Sequence, residues 1–162
     1  MNVVATRRPE RIVSVLDPGI AFPELGPLYL GRHLRLQFHD VHVPTEGLIP
    51  PSARQIDDLL VFLGQWKRTG PMLFHCRAGI GRSPAIAIIA ACLHNPRTEE
   101  RLIVDALRRA SPIARPNEKL IALADAAMKR QGRISAAIAE TGAGLAWTPI
   151  SENIPFEIPA TF

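Results

Sequence analysis

The chain has 162 residues, of which 47% are hydrophobic and 6% aromatic, and its formal net charge is +4. This size and apolar content predict one domain with a single core over residues 1–162, in which 143–162 form a proline-punctuated C-terminal extension. Two cysteines exclude a disulfide scaffold, and scattered basic residues with few aromatics argue against nucleic-acid binding. No apolar run is long enough to span a membrane and no secretory leader is apparent, so we expect a soluble, cytoplasmic protein.

The first part of the chain is predicted to hold short strands separated by loops. Residues 1–10 are expected to be a loose lead-in or an edge strand, and the alternating segment Arg11–Leu16 a strand. Residues 17–27 contain several prolines and glycines and predict a loop, after which 28–30 is a candidate brief strand. The alternating segment 32–38 predicts another strand, which leads into a proline-rich loop.

Helices are predicted around one further strand in the middle of the chain. Ser52 is a candidate N-cap, and apolar residues recur after it at helical spacing toward a stop at Gly70. Residues 71–75 form a short apolar segment typical of a buried strand, and 84–93 an alanine and isoleucine run typical of a buried helix.

The last part of the chain is predicted to be helical and then extended. Asn95 or Thr98 is expected to cap one helix, Asn117 to begin another that ends around Gly132, and 134–140 to form a third. From Thr148 onward the chain is expected to lie extended across the surface, with these apolar residues interleaved: Ile150, Ile154, Phe156 and Ile158. Early strands and late helices predict an α/β fold with a short central sheet packed by helices.

The most informative stretch is 73–85, LFHCRAGIGRSPA, between the middle strand and the buried helix. Gly79 and Gly81 are expected to adopt backbone angles closed to other residues, so that the loop from Arg77 to Arg82 curls with its N–H groups toward one centre. The positive end of the following helix points at the same centre. The stretch therefore predicts an anion cradle.

Three side chains of this stretch suit phosphate chemistry. Cys76 lies at the lip of the positive field, which favours the nucleophilic thiolate. The planar fork of Arg82 can hold two phosphoryl oxygens, and Ser83 can donate a hydrogen bond to the sulfur when a thiophosphate intermediate is hydrolysed. A merely buried cysteine in a glycine turn would not explain the arginine beside it.

The segment HCRAGIGRS resembles, at every fixed position, the H-C-x-x-G-x-x-R-S signature of cysteine-dependent protein tyrosine phosphatases and dual-specificity phosphatases. The resemblance implies the α/β fold of that family, with Cys76 as the nucleophile, Arg82 as the phosphate-binding arginine and Ser83 as the hydroxyl that assists thiolate departure. It implies no cofactor. It also implies that the amides of the intervening loop bind phosphate: Arg77, Ala78, Gly79, Ile80 and Gly81.

A departing ester oxygen must be protonated, and in this family an aspartic acid on a mobile loop usually supplies the proton. Asp40 is the best candidate, because it follows a strand and lies 36 residues before Cys76. Asp17, at a strand end, is an alternative, and Asp57 and Asp58 fall within a predicted helix. Phe-His-Asp stands where tyrosine-specific members have Trp-Pro-Asp, so the chain departs from those members here.

Other polar residues near these motifs have structural or bordering roles in our interpretation. Three histidines suggest a metal site but do not define a coordination geometry, so we expect none: His33, His39 and His42. His75 is expected to orient the cysteine loop by hydrogen bonding, and Cys92 to belong to the core. Arg115 and Asn117 lie in the sequence RPN, which resembles the loop that borders the pocket in dual-specificity members; a capping role for Asn117 is the other interpretation.

The function predicted first is phosphomonoester hydrolysis of the protein tyrosine or dual-specificity type, on phosphorylated protein and through a cysteinyl-phosphate intermediate. One alternative is a phosphatase of phosphoinositides or other small phosphate esters. Another is a phosphate-binding pseudoenzyme, although such a protein would lack either the nucleophile or the acid. An arsenate reductase or sulfurtransferase is the last, and Cys92 is badly placed to be its resolving cysteine.

Overall fold

In the computed structural model, residues 3–43, 45–142, 144–146, 148 and 152–162 are described. Within them, three strands form one small parallel sheet in the order β2-β1-β3. The strands are β1 (Arg11–Leu16), β2 (His33–Gln37) and β3 (Met72–His75). The middle strand is buried over five of its six residues, as expected for a parallel strand covered on both faces.

The register of the sheet brings three loop starts together. Val13 of β1 is paired with Leu34 of β2 on one side and with Phe74 of β3 on the other. Because the strands are parallel, their carboxyl ends meet at one edge of the sheet, where ligands bind in folds of this kind. The residues that follow the three strands therefore lie close together.

Helices cover the sheet, and one of them runs through the centre of the molecule. That helix, α3, is buried at every residue from Arg82 to Cys92, which explains why it is apolar on all sides and lacks a polar stripe. The helices of the described residues are α1 (Val3–Arg7), α2 (Ala53–Gly64), α3 (Arg82–His94), α4 (Glu100–Ala110), α5 (Glu118–Ala127) and α6 (Arg133–Thr141). None of them combines the length and apolarity that crossing a bilayer requires.

The α/β class predicted from the sequence is confirmed, but two predicted segments in the first 30 residues differ from the structure. Residues 3–7 form the short helix α1 rather than a loose lead-in or an edge strand, and residues 1–2 lie outside the described part. The predicted brief strand at 28–30 is wrong. Pro27 begins a 3-10 turn, Pro27–Tyr29, because proline at its first position has a preset φ, and the turn buries Tyr29.

Helix α2 begins at the predicted N-cap but ends earlier than predicted. The Ser52 side chain accepts from the Gln55 amide in a capping box, as the sequence indicated. The helix stops at Gly64 rather than near Gly70, because other groups engage the chain that follows. Glu10 accepts hydrogen bonds from the amides of Lys67, Thr69 and Gly70, which holds that segment as a loop.

Later helix ends also differ from the sequence-based expectation. Neither Asn95 nor Thr98 caps α4, whose N-cap is Glu99 without a side-chain hydrogen bond. The Asn95 amide instead donates to the Ala91 and Ala160 carbonyls. Helix α5 is capped by Asn117 as predicted but ends before Gly132, since Lys129 and Gln131 adopt positive φ angles of 55° and 58° that a helix cannot continue through.

The C-terminal segment 152–162 contains no helix or strand, in line with the prediction of an extended tail. It is not confined to the surface, since Phe156, Ile158 and Phe162 pack against the hydrophobic core. Ile150, which the sequence assigns to the same tail, lies outside the described residues.

Candidate active site

The loop after β3 wraps the sulfur of Cys76, which is 3% exposed. Its Sγ lies 3.1 Å from Ser83 Oγ, and the Gly79 amide donates to it at 3.3 Å. Gly79 has a φ of 77°, which a residue with a side chain rarely adopts, so glycine is required there. One backbone amide and one hydroxyl therefore contact the sulfur, and both groups are able to donate to it.

Gly81 differs from the expectation that it uses glycine-only backbone angles. Its φ is −108°, which other residues readily adopt. Glycine is needed for room instead, because a Cβ at this position would collide with the carboxylate of Asp40. The loop and the Asp40 side chain are thus in direct contact.

The guanidinium group of Arg82 donates to two acceptors outside the cysteine loop. Its Nη1 donates to Asp17 Oδ1 at 2.8 Å and to the Phe38 carbonyl at 2.7 Å, and the residue is only 3% exposed. Its Nε is buried and has no hydrogen-bond partner among the described residues. Since buried donors are almost always paired, this free N–H fits an oxygen of a bound oxyanion.

Asp40 lies beside Arg82 and is anchored by Asn117. Its Oδ2 is 3.9 Å from Arg82 Nε, and its Oδ1 accepts from Asn117 Nδ2 at 2.7 Å. The Asn117 side chain is fully buried, and its Oδ1 accepts from the Leu120 amide, so Nδ2 must face Asp40. Because Nδ2 only donates, Oδ1 of Asp40 accepts in either protonation state, which leaves Oδ2 as the oxygen that is able to carry a proton.

The two interpretations of the RPN sequence both describe Asn117. It caps α5, and its backbone amide donates to the Gly81 carbonyl at 3.2 Å. The Arg115 amide likewise donates to the Ile80 carbonyl at 2.8 Å. These bonds attach the loop before α5 to the outer side of the cysteine loop, so the expected proximity is present.

The other candidate acids lie elsewhere or are already engaged. Asp57 and Asp58 are exposed on α2. Asp17 lies at the same sheet edge as Cys76, where its carboxylate forms an ion pair with Arg82. Of these four carboxylates, that of Asp40 contacts the cysteine loop at Gly81. Unlike Asp17, it does not form a hydrogen bond with Arg82, because it lies 3.9 Å from Nε.

The histidines have separate partners. His33 Nε2 lies 2.8 Å from Ser14 Oγ, and His39 Nδ1 accepts from the Ile49 amide, which closes the base of the Asp40 loop. Burial lowers the pKa of His75, and burial together with Arg35 and His75 lowers that of His33, which favours the neutral form of both rings. The expected orienting hydrogen bond of His75 is not observed with the described residues; the ring lines a cleft instead.

That cleft, of about 530 Å³, opens beside Cys76. One wall is the loop after β1 with Ile20, Phe22 and Pro23, and the other holds His75 and Arg77. The Phe22 ring packs edge-to-face on His33, with centroids 6.4 Å apart. The wall is largely apolar, whereas Arg77 brings one exposed cation to the cleft.

Cys92 is fully buried in α3, as expected of a core residue. Burial raises the pKa of its thiol to about 12. Both cysteines are free and buried, but the sulfur of Cys76 contacts the Gly79 amide and the Ser83 hydroxyl. Burial and the raised pKa both disfavour reaction of Cys92 at neutral pH.

The acceptors that hold Arg82 were not identified from the sequence. The sequence indicates Asp17 only as an alternative acid. The Phe38 acceptor is a backbone carbonyl, so the identity of its side chain does not predict it. The position of Asp17 directly after a strand was the available clue, because the carboxyl ends of parallel strands converge.

Known proteins resemble the chain in sequence and in fold. The family model of the protein-tyrosine phosphatases matches residues 33–117. A search of curated protein sequences finds no match.

Solved structures share the fold at low sequence identity. Human tyrosine phosphatase-like serine/threonine/tyrosine-interacting protein is 18% identical, with a TM-score of 0.59 over 81% of this chain and 83% of that one. A mouse putative dual specificity phosphatase, complexed with zinc tungstate, is 17% identical, with a TM-score of 0.54 over 84% and 78%. Human DUSP28 is 17% identical, with a TM-score of 0.53 over 85% of both chains. With the family model covering just over half of its residues, the chain belongs to the protein-tyrosine phosphatase family.

Proposed function

We propose that this protein hydrolyses phosphate monoesters through a cysteinyl-phosphate on Cys76, with aryl phosphates such as phosphotyrosine in proteins as the preferred substrates. The observation that carries the proposal is the buried Nε of Arg82, which has no hydrogen-bond partner among the described residues, on the same loop as a sulfur that contacts the Gly79 amide and the Ser83 hydroxyl. In this proposal a phosphoryl oxygen accepts from this Nε while the sulfur attacks the phosphorus, and the membership of the family supports the same reaction class.

In the first step, the Cys76 thiolate attacks phosphorus, the S–P bond forms and the P–O ester bond breaks. Arg82 and the loop amides stabilise the phosphoryl oxygens, and the proton on Asp40 Oδ2 passes to the departing oxygen. In the second step, Asp40 accepts a proton from the attacking water, a P–O bond forms and the S–P bond breaks. The Ser83 hydroxyl, 3.1 Å from the sulfur, stabilises the thiolate as it leaves.

The preference for aryl esters is based on the cleft beside Cys76. Ile20, Phe22 and Pro23 offer an apolar wall against which a phenyl ring loses water-exposed surface. A short serine or threonine ester would leave this wall uncovered. Among the described residues that line this cleft, Arg77 is the one arginine or lysine, which is fewer than the cluster that a polyphosphorylated headgroup requires.

The test is a phosphatase assay of the full chain on a phosphotyrosine peptide, a matched phosphoserine peptide and a phosphoinositide, with Cys76→Ser as the blank. We expect turnover of the phosphotyrosine peptide at least tenfold above the others in kcat/KM, and background turnover for Cys76→Ser. Equal turnover in Cys76→Ser would reject the cysteine mechanism. Vanadate binding without turnover of any substrate would favour the pseudoenzyme, and a preference for the phosphoinositide would reject the aryl assignment.

A further inference from the structure

The C-terminal segment 152–162 contacts the cysteine loop directly. The backbone amide of Asn153 donates to the Ala78 carbonyl at 2.9 Å. We propose that this segment is a positioning element of the active site, in which Asn153 fixes the peptide unit between Ala78 and Gly79. The proposal rests on the proposed function in so far as the fixed amide serves the nucleophile, but the contact itself can be tested separately.

The physical reason lies in the geometry of one peptide unit. The carbonyl and the N–H of a trans peptide point in opposite directions. The Ala78 carbonyl accepts from Asn153 on the outside of the loop, and the Gly79 N–H of the same unit donates to Cys76 Sγ on the inside. Holding the carbonyl outward therefore keeps the amide directed at the sulfur.

This peptide unit needs an external constraint. Glycine adopts positive and negative φ with similar ease, so the unit before Gly79, with its φ of 77°, can rotate at low energetic cost. A rotated unit would present a carbonyl oxygen to the sulfur and to the phosphate, and both would be repelled. The Asn153 bond makes the rotation unfavourable, because it would leave the Ala78 carbonyl without this donor.

The tail complements two other contacts on the outer side of the loop. The Ile80 and Gly81 carbonyls accept from the backbone amides of the segment before α5. Among the backbone donors of the described residues, Asn153 is the one that reaches Ala78. The part of the loop nearest the cysteine thus depends on the C-terminal segment.

The far end of the tail is anchored at the opposite end of α3. Asn95 donates to the Ala160 carbonyl at 3.1 Å and accepts from the Phe162 amide at 3.2 Å. Phe156 and Ile158 pack against the core between these points. The tail is therefore a strap along α3, from the loop that precedes this helix to the residue that caps it.

Asn153 offers a matched pair of variants, because its φ is 57°. Asparagine and glycine tolerate this left-handed conformation, so Asn153→Gly retains both the backbone and the N–H. Asn153→Pro removes the donor and cannot adopt the angle. Asn95→Ala releases the far end of the strap without altering the loop, and it serves, combined with Phe156→Ala, if the proline variant fails to fold.

The readout is the rate at which iodoacetamide alkylates Cys76 in the full-length protein at pH 6.5, followed by mass spectrometry, together with inhibition by vanadate. Cys92 does not interfere, because burial raises its pKa to about 12. We expect Asn153→Pro to slow alkylation about tenfold and to weaken vanadate inhibition by a similar factor, the scale of one hydrogen bond to an ion. Asn153→Gly should stay within about twofold of the wild type, and Asn95→Ala should slow alkylation in the same direction.

Unchanged alkylation and vanadate inhibition in Asn153→Pro, with its Tm showing a folded protein, would overturn the proposal. If that variant does not fold, unchanged rates in the double variant Asn95→Ala/Phe156→Ala, which removes the far anchor and the core contact nearest to Asn153, would overturn it. A wild type without phosphatase turnover, but with the expected alkylation pattern, would reject the proposed function and retain the positioning role. Normal turnover with unchanged alkylation in the folded variants would retain the proposed function and reject the positioning role.

Discussion

At the residue scale, the central feature is the buried side chain of Arg82, in which Nη1 donates hydrogen bonds and Nε does not. Asp17 and the Phe38 carbonyl hold Nη1 of Arg82, whereas Nε has no hydrogen-bond partner among the described residues and lies 3.9 Å from the Asp40 carboxylate. Asp17 is therefore a positioning residue for Arg82. It also supplies the negative charge that a buried guanidinium requires in the absence of a phosphoryl group.

Removing this anchor should weaken catalysis without regard to the leaving group. We expect Asp17→Ala to lower kcat/KM about 30-fold or more, because loss of one contact to a preorganised charged donor has effects on this scale. Asp17→Asn should lose less, since its amide oxygen still accepts from Nη1. Steady-state kinetics on a phosphotyrosine peptide and on an activated aryl phosphate measure the effect. A much larger loss on the peptide would assign the acid role to Asp17 instead.

The proposed acid role of Asp40 predicts the opposite pattern. An aryl phosphate with a very acidic phenol needs little protonation when it departs, whereas tyrosine needs a proton. Asp40→Asn should lower kcat about 100-fold on a phosphotyrosine peptide and only a few-fold on the activated ester. Asp58→Asn, exposed on α2, is the matched control and should match the wild type on both substrates. Equal losses on the two substrates would contradict the assignment.

At the scale of elements, Glu10 connects β1 to the segment before β3. Its carboxylate accepts from the amides of Lys67, Thr69 and Gly70 and from the Thr69 hydroxyl. Burial raises the pKa of Glu10, but these hydrogen bonds outweigh it and leave the pKa below its ordinary value. The loop that leads into the strand before Cys76 therefore depends on an ionised carboxylate.

The pH dependence of this contact follows from the lowered pKa. The stabilisation is complete above the pKa of Glu10 in the unfolded chain, about 4.3, and is lost as the pH falls through the lower pKa of the folded state. Glu10→Gln should lower the free energy of unfolding by about 1 kcal/mol at pH 7. The difference in unfolding free energy between the variant and the wild type should shrink as the pH falls below 4. Urea unfolding at pH 7 and at a pH below 4 measures this change. A difference independent of pH would mean that the charge is not responsible.

At the scale of the whole molecule, one buried ion pair connects the C-terminal helices to α3. Arg130, after α5, pairs with Glu100 at the start of α4 and donates to the Cys92 carbonyl of α3. Both side chains are nearly buried, and Arg133 reaches the same carboxylate at 3.1 Å. This junction lies toward the C-terminal end of α3, away from the cysteine loop at its beginning.

Breaking one side of this pair should destabilise the fold more than it affects the chemistry. We expect Arg130→Met to cost about 3 kcal/mol of unfolding free energy, because Glu100 loses its principal buried partner. The double variant Arg130→Met/Glu100→Leu should recover much of that loss. Urea unfolding measures the stability, and the kcat of the folded variants should remain near that of the wild type. A double variant as unstable as the sum of the single ones would contradict the coupling.

The sequence by itself determined what depends on contiguous residues. The segment 73–85 contains its own strand, loop and helix start, so its spacing alone indicated an anion cradle with Cys76 and Arg82 in it. Capping by Ser52 and Asn117 was predictable for the same reason, since a cap acts on amides two or three residues away. The single-domain organisation and the catalytic roles of the loop residues stay predictions from the sequence.

Only the tertiary structure decided which distant groups complete the site. Asp17 and Arg82 are 65 residues apart, and Asp40 and Asn117 are 77 apart. Their contacts arise because parallel strands end at one edge of a sheet and because the loop before α5 returns to it, which no local pattern encodes. Gly81 looked like a backbone requirement but is needed for the space that the Asp40 carboxylate occupies. The contact between the tail and Ala78 has a similar origin. Apolar residues that the sequence assigned to the surface pack against the core, and this packing places Asn153 next to the cysteine loop.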